Sequence, residues 1–204
     1  RDWSSDVCSS DLSFFKSFNS ATFIKLKETA AYFTIGIDGF NPINHQAIEL
    51  VAVYDLHNEK VICWTGKFYP TEEQKRNLIK IKDLDTHFVE LNNQRIVILG
   101  CHDLNVFNPR GQATAKPDGW KKQLADRFKT KCKKFNPEII FHHPHTTDTP
   151  NIWNLAWRTV EKELPYVKHF ASGIKYYNRN GVRGNIDKVL EKTKKGDVTD
   201  FYYE

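Results

Sequence analysis

The chain has 204 residues, 40% hydrophobic, 27% charged and 13% aromatic, with a formal net charge of +5. This is globular composition, long enough for one domain with a sizeable core. No apolar run reaches the roughly 18 residues of a membrane span, and the opening RDWSSDVCSSDL is acidic and polar where a secretory signal is basic and then apolar.

That opening resembles translated read-through of sequencing-adapter DNA. Residues 1–12 are therefore read as a non-native segment and residues 13–204 as a single α/β domain, with the native start expected outside the sequence. Without the segment, which carries one Arg and three Asp, the formal charge rises from +5 to +7. Cys8 falls within it. Cys63, Cys101 and Cys132 are far apart, odd in number and form no CxxC pair. That is no disulfide framework, and it points to a reducing, cytoplasmic location.

In chain order, Ala31–Ile37 is rich in β-formers and runs to Asp38-Gly39, a turn signal. Residues 47–55 (AIELVAVYD) and 60–68 (KVICWTGKF) read as an antiparallel hairpin joined by His57-Asn58-Glu59. Pro70-Thr71-Glu72-Glu73 has the pattern of a helix start. Arg95–Gly100 is a short continuous apolar run, typical of a strand buried on both faces. A Gly/Pro/Asn-rich loop follows. Trp120, Leu124, Phe128 and Cys132 then recur at helical spacing over Trp120–Phe135. Pro137–Phe141 is a second buried strand. Thr149-Pro150 opens a helix that Leu164-Pro165 closes. Val167–Ala171 is a third strand and Ile186–Thr193 a last helix. Strand–helix–strand–helix–strand over 95–171 implies parallel pairing with right-handed crossovers. With the hairpin added, the expected fold is three-layer α/β around one mixed, mostly parallel sheet.

Ligands in such sheets bind beyond the carboxyl ends of the parallel strands. Two polar clusters stand there, Cys101-His102-Asp103 with Asn105, and His142-His143-Pro144-His145-Thr146-Thr147-Asp148. If the two strands are neighbours, the clusters converge. His143 and His145 point to one side of an extended segment and His142 to the other. His143, His145 and Asp103 can together hold a divalent ion such as Zn or Mn; the competing reading is imidazoles bonded to strand-end carbonyls. Asp148 comes three residues after His145, so the spacing is not His-x-His-x-Asp-His. Thr146, Thr147 and Asp148 precede a helix N-terminus that suits an anion, and Asp148 or Thr149 is equally a plain N-cap. Arg110, between Pro109 and Gly111, is placed to clamp phosphate or carboxylate, or is a solvated loop residue.

The leading functional expectation is a hydrolase of a phosphoester or other small anionic substrate, nucleotide-like or nucleic acid. His102, Asp103, His143, His145 and Asp148 are its catalytic candidates; Asn105, Arg110, Thr146 and Thr147 bind substrate. The first alternative is a cysteine-dependent hydrolase or amidase, with Cys101 activated by His143 or His145 and oriented by Asp148. The second is a non-catalytic sensor of nucleotides or anions. Asp38, Gly173 and Tyr176 are weaker candidates, each equally an ordinary turn or loop residue. Lys129, Lys131, Lys133 and Lys134 read as a solvated helix end, with nucleic-acid attraction as the competing reading.

Overall fold

The computed structural model of the protein describes residues 20–41, 43, 45–72, 74–114, 116–144 and 150–172. The chain divides into two compact units, one of Arg1–Thr34 with Val53–Ile62, the other of Ile35–Ala52 with Cys63–Glu204.

Within the first unit, helix α1 (Ser20–Thr29) packs Phe23 edge-on to Phe33 and Tyr54, with ring centroids 6.4 and 5.6 Å apart. The 56–59 turn is built by Asp55. Its Oδ1 accepts the His57 and Asn58 N–H groups, each at 2.9 Å, and its Oδ2 accepts Asn58 Nδ2 at 2.7 Å. These donors hold the Asp55 carboxyl below the usual carboxylate range. Glu59, at φ 52°, completes the turn.

The first sheet has the order β1-β2-β3, formed by Tyr32–Asn41, Gln46–Asp55 and Lys60–Gly66. A two-residue strand β4 (Leu78–Ile79) joins β2 in parallel, pairing Ala47 with Leu78 and Ile48 with Ile79. The expected 47–55/60–68 hairpin is present. β1 runs on through Asp38-Gly39, where the sequence suggested a turn. The helix expected from Pro70 is replaced by a turn. Thr71 Oγ1 accepts the Gln74 N–H at 3.2 Å, and the Gln74 carbonyl accepts from Asn77 and Leu78. Two demands defeat the helix: Leu78 is buried on β2, and the Gln74 side chain turns inward to Glu49, 3.2 Å away.

The second sheet has the order β5-β6-β7-β8, formed by Phe88–Leu91, Gln94–Leu99, Ile139–His142 and His169–Ser172. β5 and β6 are an antiparallel hairpin around Asn92-Asn93, at φ 49° and 62°. Both loop residues need positive φ in such a turn, and Asn tolerates it. β6–β7 and β7–β8 are parallel. A 3-10 helix (Asp103–Phe107), a short helix α2 (Pro109–Thr114) and the long α3 (Trp120–Phe135) connect the first parallel pair; α4 (Pro150–Glu163) connects the second.

Mixed α/β is therefore correct, and so is the parallel β-α-β-α-β run. The single sheet is not: the hairpin, with β1 and β4, forms its own sheet, and β6 is paired on both sides by β5 and β7. The 3-10 helix and α2 also lie where a loop was expected.

One core cluster unites Val97, Leu99 and Ile140 of the second sheet with Ala125, Phe128 and Cys132 of α3 and Trp153, Ala156, Trp157 and Val160 of α4. Helical spacing of the apolar residues explains both helices. Ile96 and Ile98 point the other way on β6 and are equally buried, as a continuous apolar strand requires. Phe68 and Tyr69, just after β3, enter the same cluster. The lysine-rich end of α3 is tied down: Lys129 reaches Glu163 at 2.8 Å, Lys133 reaches the same carboxylate at 3.9 Å, and Lys131 pairs with Asp85. Among the described residues, no helix is long and apolar enough to cross a membrane.

Candidate functional site

The two polar clusters share one end of the second sheet. β6 and β7 are paired neighbours with Leu99 opposite His142, and the His143 N–H donates to the Leu99 carbonyl at 2.9 Å. Cys101-His102-Asp103 and His142-His143 thus lie beyond adjacent carboxyl strand ends. His145, Thr146, Thr147, Asp148, Thr149, Gly173, Tyr176 and the 186–193 helix fall outside the described residues.

What meets the β6 end was not singled out from the sequence: a buried ion pair. Lys67 Nζ donates to Glu49 Oε1 at 3.0 Å, with side chains 2% and 9% exposed. Gln74 Nε2 donates to the same oxygen at 3.2 Å. Gly66 makes this possible. A Cβ there would lie 2.2 Å from the Glu49 carbonyl oxygen, so only glycine lets β3 close on β2. The Lys67 N–H then donates to that carbonyl at 2.9 Å, seating the two charges opposite each other. Removing two charges from water is expensive, with several kcal/mol lost per ion before pairing repays it. The available sequence signal was a lone Glu within AIELVAV and a lone Lys after Thr-Gly.

The pair is stitched to the cysteine loop by Asp103, which is fully buried. Its Oδ1 accepts the Phe68 and Tyr69 N–H groups at 3.1 and 2.8 Å, and its Oδ2 accepts the Gly100 N–H at 2.9 Å. One carboxyl so gathers the backbone after Lys67 and the residue before Cys101. Burial pushes the Asp103 carboxyl up to about 7, while the three amides and Lys67 pull it down. Gly100 packs directly on Lys67, where a Cβ would meet its N at 2.9 Å and its Cα at 3.0 Å. On the other side of Cys101, His102 is pushed down to about 4 by burial and by the Lys67 and Lys121 charges, with Glu49 opposing. Cys101 therefore follows a residue packed on the Lys67 backbone and precedes one whose titration the Lys67 and Glu49 charges affect.

His142 is a strut. Its Nε2 lies 2.9 Å from the Cys101 carbonyl and its Nδ1 2.8 Å from Ser172 Oγ. A carbonyl only accepts, so Nε2 carries the proton and Nδ1 accepts the Ser172 hydroxyl. Burial pushes His142 down to about 4, which keeps the ring neutral in this role. His143 is likewise pushed down to about 4 by burial. It faces Gly36 of β1, where a Cβ would be 3.6 Å from its Nδ1. The structure thus brings together Cys101, His102, Asp103, His142 and His143.

The remaining candidates are more peripheral. Asn105 Oδ1 accepts from Asn108 Nδ2 at 3.3 Å. Arg110 is exposed on α2 with its N–H on Asn108 Oδ1 at 3.0 Å, and Asp38 is exposed on β1. Cys63 donates to the Thr86 carbonyl at 3.3 Å. Cys132 is buried in the core, which pushes its thiol far up. For the proposed metal set, both Asp103 oxygens already accept amides, and among the described residues no group of three His, Cys, Asp or Glu could hold an ion.

A pocket of about 460 Å3 opens beside the cysteine loop, lined by His102 and Asn105, by Tyr69 and Glu72, by Gly111, and by Lys116, Gly119, Trp120 and Lys121. It gives a ligand access to the residue next to Cys101.

No family model matches the chain, and no curated protein matches it. Among solved structures, it is similar to a point mutant of the amidase from Nesterenkonia sp. AN1 carrying the result of Michael addition of acrylamide at the active site cysteine. The identity is 12% and the TM-score 0.39, over 67% of this chain and 49% of that one. A likeness of that size assigns neither fold nor activity.

Proposed function

We propose that this chain is a cysteine-dependent hydrolase of amide or ester bonds, with Cys101 as nucleophile and Glu49 and Lys67 as its catalytic partners. The observation that carries the reading is the buried Glu49–Lys67 pair, whose Lys67 backbone packs on Gly100, the residue before Cys101. A buried pair is weak evidence of stabilisation, because apolar residues of similar volume do as well or better. Function explains why charge is retained beside a thiol.

The steps follow from the residue types. The Glu49 carboxylate takes the Cys101 proton as Sγ attacks the substrate carbonyl carbon. The oxyanion that forms is stabilised by the Lys67 ammonium. The C–N or C–O bond breaks and the leaving group departs with the proton from Glu49. Water then loses a proton to Glu49 and attacks the thioester; the C–S bond breaks and the thiol is restored. His142 holds the Cys101 carbonyl and Asp103 holds the loop, so both are positioning residues.

This reading replaces His143 or His145 as the partner of Cys101 with Glu49 and Lys67. It is preferred to phosphoester hydrolysis because Asp103 spends both oxygens on backbone amides and His142 spends both ring nitrogens on the Cys101 carbonyl and Ser172. The test is intact-protein mass spectrometry after mixing with p-nitrophenyl acetate. One acetyl group on the Cys101 peptide, absent in Cys101→Ala with unchanged melting, supports the proposal. An unmodified Cys101 without turnover overturns it and leaves a binding or sensing role, and undiminished turnover in Cys101→Ala overturns it in favour of another nucleophile.

A further inference from the structure

The pocket beside His102 has a rim of cations around aromatic rings. Lys75 Nζ lies 5.0 Å, Lys121 Nζ 5.6 Å and Lys80 Nζ 5.8 Å from the centroid of the Trp120 ring, and Lys121 Nζ is also 5.8 Å from the Tyr69 ring. Cations settle over indole faces. Three around one ring, however, repel one another, which leaves an excess of positive charge at one spot. Lys116 and Lys121 line the pocket, and among its described lining residues the one acid is Glu72. Glu72 is paired with Lys121 at 3.3 Å, with 67% of its side chain exposed. Such a rim pair is worth little, so an incoming anion displaces it at small loss.

We propose that the substrate of Cys101 carries an anionic group, carboxylate or phosphate, which Lys75, Lys80 and Lys121 hold over Trp120 while the scissile bond lies at the thiol. This rests on Cys101 being the nucleophile. Trp120 and Lys121 line the same pocket as His102, the residue that follows Cys101 in the chain. The opposing polarity supports the assignment: the acids of the proposed site, Glu49 and Asp103, are buried and already bonded, so the positive rim is the part a charged ligand meets. Charge of one sign at a pocket mouth also concentrates ligands of the other sign there.

The experiment compares two thiol reagents of one chemistry, 3-maleimidopropionate and N-ethylmaleimide. Each adds the Cys101 sulfur across its alkene, and the sulfur's proton ends on the neighbouring carbon. Rates at Cys101 are read by peptide mass and normalised to a free small thiol. The expected result is a preference for the carboxylate reagent of about fivefold, the scale of one or two rim ion pairs. It should fall to parity in Lys75→Gln/Lys80→Gln/Lys121→Gln and in high salt. Protection of Cys101 by succinate rather than inorganic phosphate assigns a carboxylate substrate, and the reverse assigns a phosphorylated one. Equal rates in the wild-type chain, or a preference unmoved by the triple substitution, overturn this inference alone. A Cys101 inert to both reagents overturns it together with the cysteine reading.

Discussion

The ends of β6 and β7 lie side by side and both carry histidine, yet they handle burial in opposite ways. At the β6 end, charge is kept: Glu49 and Lys67 stay as an ion pair 3.0 Å long within the protein, and backbone from the segment after β3 crosses to Asp103. At the β7 end, charge is given up, and His142 is a neutral ring bonded to a carbonyl and a hydroxyl. A buried imidazole that can lose its proton is an inexpensive structural part. A buried carboxylate and ammonium that must stay charged are not. The proposed chemistry therefore sits at the first strand end and its support at the second.

Substitutions that break this contrast should differ in size. Lys67→Met leaves the Glu49 charge buried without its partner, and urea unfolding should show a loss of about 3–5 kcal/mol. Adding Glu49→Leu should return most of that stability while acylation of Cys101 stays abolished. No recovery in the double variant would mark the pair as structural. Gly100→Ala drives a Cβ against the Lys67 backbone and Asp103 Oδ2, 3.0 Å or less away. A loss of about 1–3 kcal/mol is expected from overpacking, together with slower acylation.

His87, His102, His142 and His143 are each pushed from 6.5 to about 4. A depressed histidine contributes stability above its unfolded value and loses it as pH falls from 6.5 to about 4. Asp103, raised from 3.8 to about 7, works in the other direction, losing stability as pH rises across that window. Four groups outweigh one, so melting temperature should climb between about pH 4 and 6.5. His142→Asn should make that climb shallower by one proton's worth, and an unchanged slope would show that His142 is protonated in the fold. Arg110→Ala should be smallest. The side chain is exposed on α2, and a stability change within about 0.5 kcal/mol is expected of such a surface substitution.

Much of this architecture can be read from residue patterns. β6, β7, α3 and α4 announce themselves by continuous apolar runs and helical spacing, and the adjacency of two polar strand ends follows from the β-α-β order. β5 escaped because its hairpin turn is Asn92-Asn93 rather than a glycine-containing pair, and only the positive φ values reveal it. The ion pair escaped for a deeper reason. Glu49 and Lys67 look like outward-facing residues of a hairpin, and their burial depends on Gly66 closing on the β2 backbone and on Phe68 and Tyr69 entering a core built largely from later residues. Asp103 was legible as polar and well placed, but whether its oxygens face a substrate or three amides is a matter of tertiary packing.

The central claim is that the buried pair serves the thiol, and pre-steady-state acetylation by p-nitrophenyl acetate tests it most directly. Wild-type chain should release one equivalent of nitrophenol in a burst, with the acetyl group on Cys101. Glu49→Gln, which keeps the shape of the side chain and stays folded by circular dichroism, should slow that burst about 100-fold or more, the usual share of a general base. A folded Glu49→Gln chain that acetylates Cys101 at the wild-type rate would contradict it.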